Sequence, residues 1–397
     1  MDLNRLRIEN YRAFASPQEV AIAPLTLVYG YNHAGKSALL RALPLLADSS
    51  TDISPTPLNL ESRAVRSASF SDIRCRRFPD TPIGFGLQGT LGQGLDFSWD
   101  AKVDAWGAPL SRQQLVAWHT QWGGASDLRE LRAEAISDVM SPAALAGHYR
   151  VRGSDLPDGM ATLSLDGLAP SLREGPPAAE VGMELTRRIL RELRNSIQWL
   201  EAVRRRPERR ERLMGAAPRQ MQPDGQGAAQ LLAADQGREL LASIQAFFRG
   251  GGSRSDNYHL DLSVEAEDIR LRLSPADAPA MYADLADAGE GMAQVFPVLV
   301  ALARAERGAP GDPRLVIAEQ PELHLHPRME LRLGERLCAL ASLKSPPRVI
   351  VETHSEALLL SIQLALLEER LDPSRVAIHW VRQLAEGESV VERVQIA

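Results

Sequence analysis

The chain has 397 residues, of which 44% are hydrophobic, 24% charged and 5% aromatic, with a formal net charge of −6. That balance excludes a disordered or fibrous protein and leaves no global attraction to nucleic acid, so any DNA contact must come from a local basic patch. No run of about 18 apolar residues occurs and the segment Met1–Asn10 is charged, which predicts a cytoplasmic protein with neither membrane span nor signal peptide.

The first thirty residues read as strands, with Leu6 and Ile8 alternating against charged neighbours and the apolar run 25–29 ending at Gly30. A helix is predicted from Ser37, with Pro44 near its end, followed by a Ser/Thr/Pro-rich connector over 48–57. Residues 68–103 read as mostly β with many glycine turns, and 110–250 as mainly helical and rich in Arg, Ala and Leu. Strand character returns at 258–264 and 269–273. The chain then alternates helix 292–307, strand 315–318, helix 329–343, strand 349–352 and helix 355–370, a rhythm that predicts a parallel sheet with helical crossovers.

The most specific motif is Gly30-Tyr-Asn32-His-Ala-Gly35-Lys36-Ser37, which matches G-x-x-x-x-G-K-[ST] between an apolar strand and a helix start. Gly30 and Gly35 let backbone N–H groups curl around a phosphate, Lys36 neutralises phosphate charge, and Ser37 is suited to ligate Mg²⁺. Of the 45 basic residues only Lys36, Lys102 and Lys344 are lysines, which makes the placement of Lys36 informative. The strand 315–318 runs into Glu319-Gln320-Pro-Glu322, where a P-loop ATPase carries a Mg²⁺-ordering carboxylate, and Glu319 is assigned that role. His324 and His326 lack a third metal ligand in sequence. The strand 349–352 ends at Thr353-His354-Ser355, with His354 positioned to meet a γ-phosphate or the attacking water. Finally, Asp287-Ala-Gly289-Glu-Gly291-Met-Ala-Gln294 precedes an apolar helix and forms a second anion-accepting cap, suited to a second subunit's nucleotide.

In this order the motifs resemble an ABC-type ATPase head of the RecF, structural-maintenance-of-chromosomes and overcoming-lysogenisation-defect group. Leu6 to Phe14, Glu319 to Pro327 and Glu352 to Glu356 carry the likeness, over roughly residues 1–46 and 255–365. It is similar to a bacterial subgroup of AAA-type ATPases often encoded beside nucleases in anti-phage defence; residues 199–204 and 223–232 resemble that subgroup more weakly. The resemblance implies an α/β fold: a mixed, largely parallel sheet with helices, an antiparallel β part, and a large, mainly helical inserted lobe. The implied domains are residues 1–105 (N-terminal part of the head), 106–254 (inserted lobe) and 255–397 (C-terminal part). It further implies ATP and Mg²⁺ as cofactors, with two subunits sandwiching two nucleotides. Arg12, Gly30, Asn32, Gly35, Lys36 and Ser37 would bind nucleotide, Gly289 and Gly291 would act in trans, Ser37 and Glu319 would hold the metal, and His354 would be the switch histidine.

Departures from that pattern are equally informative. Where the group carries a second acid to act as general base, this chain has Gln320, and losing a positioned base costs about 10²–10⁴ in rate. Hydrolysis is therefore expected to be slow, with Glu322 as the substitute base. The signature loop offers Ala288 in place of serine, and no Q-loop glutamine is assigned. Arg204 to Arg212 holds six arginines against two glutamates, a solvated stretch or a DNA-binding patch. Trp99, Trp106, Trp118 and Trp122 are read as packing residues, as are Cys75 and Cys338, too few for a disulfide framework. The expected function is an ATP-gated homodimeric switch that serves a separately encoded effector, a nuclease by family analogy. The alternatives are an ATP-binding scaffold without turnover, the soluble subunit of a transporter, and a small-molecule kinase.

Overall fold

The computed structural model describes residues 1–395 apart from 51–55, 93, 107–111, 125–126, 137–145, 214, 216, 236–237 and 250–256. The strands are β1 Asp2–Glu9, β2 Gln18–Ala21, β3 Leu25–Gly30, β4 Ile83–Leu91, β5 Leu95–Trp106, β6 Arg112–Trp122, β7 Arg129–Ala135, β8 Ala146–Gly153, β9 Leu156–Asp166 and β10 Ala169–Glu174. They continue as β11 Ile197–Leu200, β12 Glu211–Arg212, β13 Tyr258–Glu265, β14 Asp268–Pro275, β15 Ala283–Asp284, β16 Leu315–Glu319, β17 Arg348–Glu352, β18 Val376–Gln383 and β19 Ser389–Val394. The helices are α1 Lys36–Asp48, α2 Phe70–Ile73, α3 Ala179–Ser196, α4 Ala228–Ala233, α5 Glu239–Arg249, α6 Glu290–Arg307, α7 Pro327–Ala341 and α8 Glu356–Leu367.

The chain divides into two compact units that do not follow the boundaries expected at 105 and 254. The first comprises residues 1–22, 29–197 and 379–395, and the second 23–28 and 198–378.

In the first unit nine strands form an antiparallel sheet in the order β10-β9-β8-β7-β6-β5-β4-β1-β2. Strand β1 buries Leu3, Leu6 and Ile8, and a register shift between Leu3 and Arg5 explains why the first two are spaced by three rather than two. The expected helical lobe fails over its first half, because residues 112–174 are five strands of this sheet. The reason is visible in β7, Arg-Glu-Leu-Arg-Ala-Glu-Ala. Its residue types favour helix, yet Leu131 and Ala133 alternate into the core and cross-strand pairing on both sides overrides propensity. Helix α3 packs against β10 and β6–β8, closely enough that a methyl group at Gly182 would lie 2.6 Å from Leu131 Cβ. Trp99 and Trp118 are buried, the latter edge-on to Tyr149 at 5.8 Å, while Trp106 and Trp122 are half-buried. Pro44 does not end its helix. The buried run Leu39 to Ala47 carries α1 on to Asp48, packing outweighing the lost backbone hydrogen bond.

The second unit carries the parallel strands. β16 pairs in parallel with β17, and β17 with Leu25–Val28 of β3. All five residues of β16 are buried, as expected of a strand covered on both faces. Helix α6 is apolar around most of its circumference and is the centre of this unit's core, with Val295, Phe296, Leu299 and Leu302 each no more than 2% exposed. Each such side chain contributes about 1.5–3 kcal/mol by leaving water. A small antiparallel sheet, β12-β14-β13 with β15 on β14, completes the unit. Cys75 and Cys338 are free thiols and buried, in keeping with packing roles.

Candidate functional site

The phosphate-binding motif lies in the first unit. Strand β3 ends at Gly30, whose φ is 149° and where an added Cβ would stand 2.1 Å from the Val381 carbonyl oxygen, so only glycine fits. The loop carries Asn32 exposed and His33 at φ 66°, and closes at Gly35, φ 95°, the N-cap of α1. Lys36 is 4% exposed, and its Nζ donates to the carbonyls of Gly30, at 3.1 Å, and Tyr31, at 2.8 Å. The loop thus folds two of its carbonyls over the ammonium. Ser37 lines a cavity of about 540 Å³ with Arg12, Arg41, Arg66, Arg76 and one acid, Asp72, leaving the cavity net positive. Arg12 has φ 54°, its N–H donates to Ile73 O at 2.7 Å, and its guanidinium donates to Val65 O at 3.0 Å. Glycine-only geometry, a buried lysine at a 13-residue helix N-terminus and a cationic cavity fit a polyphosphate.

The remaining predicted residues lie in the second unit, the acids and His354 at the C-terminal ends of its parallel strands and Gly289 and Gly291 at the start of α6. The register sets Glu319 opposite Glu352, and Glu352 opposite Val28. Glu319 is 2% exposed, and one of its carboxylate oxygens accepts from Trp199 Nε1 at 3.1 Å. Gln320 is held at φ 42°, a conformation costly for a non-glycine residue, and its N–H donates to Glu352 O at 2.7 Å. Glu322 accepts on one oxygen from Thr353 Oγ1, at 2.7 Å, and from the His354 N–H, at 3.1 Å. Burial pushes the Glu322 carboxyl above the usual carboxylate range, which suits a proton acceptor. His354 is half-buried beside it, and Ser355 caps α8 by accepting from Leu358 N at 2.9 Å. Gly289 is the N-cap of the 18-residue α6 and has open space around it, whereas Gly291 is pressed against the His324 carbonyl. His326 caps α7 through its Nδ1, and among the described residues no cluster of three His, Cys, Asp or Glu could hold a metal on its own.

The arginine run departs most from expectation. Arg205 pairs with Glu208 at 2.6 Å, Arg206 with Glu290 at 2.5 Å, Arg209 with Asp287 at 2.8 Å, Arg210 with Asp268 at 3.8 Å and Arg212 with Glu267 at 2.7 Å. Arg204 is 2% exposed and unavailable to any solvent-borne partner. Its guanidinium donates to the carbonyls of Gln294 at 2.7 Å, Glu201 at 2.8 Å, Glu319 at 2.9 Å and Gln320 at 3.0 Å. The run is therefore neutralised within the chain rather than poised for DNA. Sequence reasoning missed Trp199, Arg204 and Gln294 as parts of the acid turn. Only the apolar strand before Arg204 hinted that the first arginine differs from its neighbours.

Two family models match the sequence. Residues 1–77 match "AAA ATPase domain", and residues 246–361 match "AAA domain, putative AbiEii toxin, Type IV TA system". No curated protein matches. Among solved structures, the "SMC head domain from Thermotoga maritima" aligns with a TM-score of 0.46 and 12% identity, over 100% of both chains. The "SmcHead bound to the C-winged helix domain of ScpA" aligns at 0.47 and 11%, over 100% of this chain and 99% of that one. The Smc head with an extended coiled coil bound to the C-terminal domain of ScpA, derived from Pyrococcus furiosus, aligns at 0.45 and 11%, over 99% and 96%. Among the described residues no helix is long and apolar enough to cross a membrane.

Proposed function

We propose that this protein is an ATP-binding, ABC-type ATPase that works as a nucleotide-gated homodimeric switch for an effector protein. The observation that carries the reading is the phosphate loop, where Lys36 is buried at the N-terminus of α1 between two glycine positions. When bound, Mg²⁺–ATP would supply the phosphate charge that this loop is built to neutralise. Lys36 and the loop N–H groups would hold the phosphates, Asn32 and Arg12 would line them, Ser37 and Glu319 would ligate the metal, and His354 would sense the γ-phosphate. Glu322 is the proton acceptor of choice in place of Gln320, because its raised carboxyl is a better base than an ordinary glutamate. Gly289 and Gly291 would present the first turn of α6 to the partner's nucleotide. The effector, a nuclease in an anti-phage setting by family analogy, is a separate chain. DNA contact is not assigned to Arg204–Arg212, whose exposed members are already ion-paired.

A second reading, an ATP-binding scaffold without turnover, is favoured by one observation: Gln320 stands where a general base is expected. Light scattering on the full chain tests the switch. Mg²⁺–ATP is expected to double the 43.5 kDa mass, and Lys36→Ala to remain monomeric. A single mass under all conditions overturns it. Phosphate release separates the two readings. Slow turnover that rises about tenfold or more in Gln320→Glu supports the ATPase, and none in either protein supports the scaffold.

A further inference from the structure

Arg204 carries a full charge into the core of the second unit, yet among the described residues it meets no carboxylate within ion-pair distance. Burial lowers its pKa to about 10, opposed only in part by the charges of Glu322 and Glu319. Four of its five donor hydrogens go to main-chain carbonyls, and two of those carbonyls belong to consecutive residues, Glu319 and Gln320. A planar fork spanning two successive carbonyls fixes the orientation of the peptide between them, which a flexible ammonium cannot do.

The turn so gripped has an unfavourable φ at Gln320, and its main chain is also tied by the Gln320 N–H to Glu352 O and the Leu323 N–H to Gln320 O. Strain of this kind persists only where the surroundings over-determine it. Arg204 is itself over-determined. Its N–H donates to Gln294 Oε1 at 2.8 Å, and its carbonyl accepts from Gln294 Nε2 at 2.6 Å, a two-bond clasp from α6. Gln294 is 3% exposed and also donates to Glu290.

We propose that Arg204, clasped by Gln294, is a positioning residue that sets the main chain of the Glu319–Gln320 turn and so aims the Glu319 carboxylate. This rests on the nucleotide reading for the role of Glu319, but the positioning itself does not. Arg204 touches no nucleotide and acts through the turn alone.

Two measurements on the full chain test it. In nucleotide-free protein, hydrogen exchange of the 318–324 peptide is expected to quicken about tenfold or more in Arg204→Lys and Arg204→Met, and about threefold in Gln294→Leu. The 30–38 peptide should keep its wild-type rate. Unchanged exchange at 318–324 overturns the proposal, and Gln294→Leu decides the matter if the arginine variants do not fold. Calorimetry with ATPγS supplies the second measurement. Arg204→Lys should keep its metal-free affinity within about twofold yet lose about tenfold of the Mg²⁺-dependent gain, a split that a mere packing role would not give. An undiminished gain, or none in the wild type to lose, overturns the proposal. If the wild-type chain binds no ATPγS at all, the nucleotide reading falls, and exchange alone then decides the role of Arg204.

Discussion

Two buried cations, one in each unit, are satisfied in opposite ways. Lys36 donates to carbonyls five and six residues away in its own loop. Arg204 donates to Gln294, Glu319 and Gln320, some ninety residues away or more, and so stitches distant segments together. The first cation belongs to the loop proposed to receive a ligand. The second is held where a ligand cannot reach, and its work is to keep other groups still.

That contrast predicts opposite consequences of deletion, and the largest effect comes from Lys36. Lys36→Ala should weaken ATP binding by about 100-fold or more while leaving a cooperative thermal transition, because the phosphates lose the ammonium of the loop. Equilibrium dialysis and thermal melts on the same preparation check both halves, and retained tight binding would break the assignment of the loop. The next effect sharpens the picture of the second unit as the rigid partner. Gly291→Ala would drive a Cβ to 2.3 Å from the His324 carbonyl oxygen and should cost about 2 kcal/mol in urea unfolding. Gly289→Ala meets open space and should stay within about 0.5 kcal/mol, so any loss of ATP-driven dimerisation in it is an interface effect.

The smallest expected effect is a pH dependence. Burial raises the Glu322 pKa above its ordinary 4.5, so the folded chain binds this proton more tightly than the unfolded one. The contribution is fully present below the ordinary value and is lost as pH climbs through the raised value. Glu322→Gln should therefore gain about 1 kcal/mol relative to wild type between pH 4 and pH 8, read from parallel urea titrations. Parallel pH slopes in the two proteins would show that the carboxylate is at ease ionised, and would remove the reason for preferring it as the base.

How much could be read from the sequence follows the same local-versus-distant division. The phosphate loop, the strands 315–319 and 348–352 and the apolar α6 were legible because their signals lie within a few consecutive residues. Strand β7 was not, since its Arg, Glu and Ala residues favour helix and only neighbouring strands make it extended. The arginine run was misleading for a related reason. A row of like charges reads as a patch until partners such as Glu290, Asp287 and Glu267, contributed by distant segments, are brought against it. Glu319, Gln320 and Glu322 were legible as residue types, while the grip of Arg204 on their turn was not.

The assignment of Leu25–Val28 to the second unit has a consequence for how the chain is made. This short segment precedes its partner Val349–Glu352 by roughly 300 residues. At about 5–20 residues per second the intervening stretch of roughly 300 residues takes tens of seconds to emerge from a ribosome. Through that interval an apolar strand leading straight into the phosphate loop must wait without its hydrogen-bonding neighbour. The nascent chain thus cannot pair this strand with β17 until Val349–Glu352 has emerged, and a product truncated before Val349 would lack that pairing altogether.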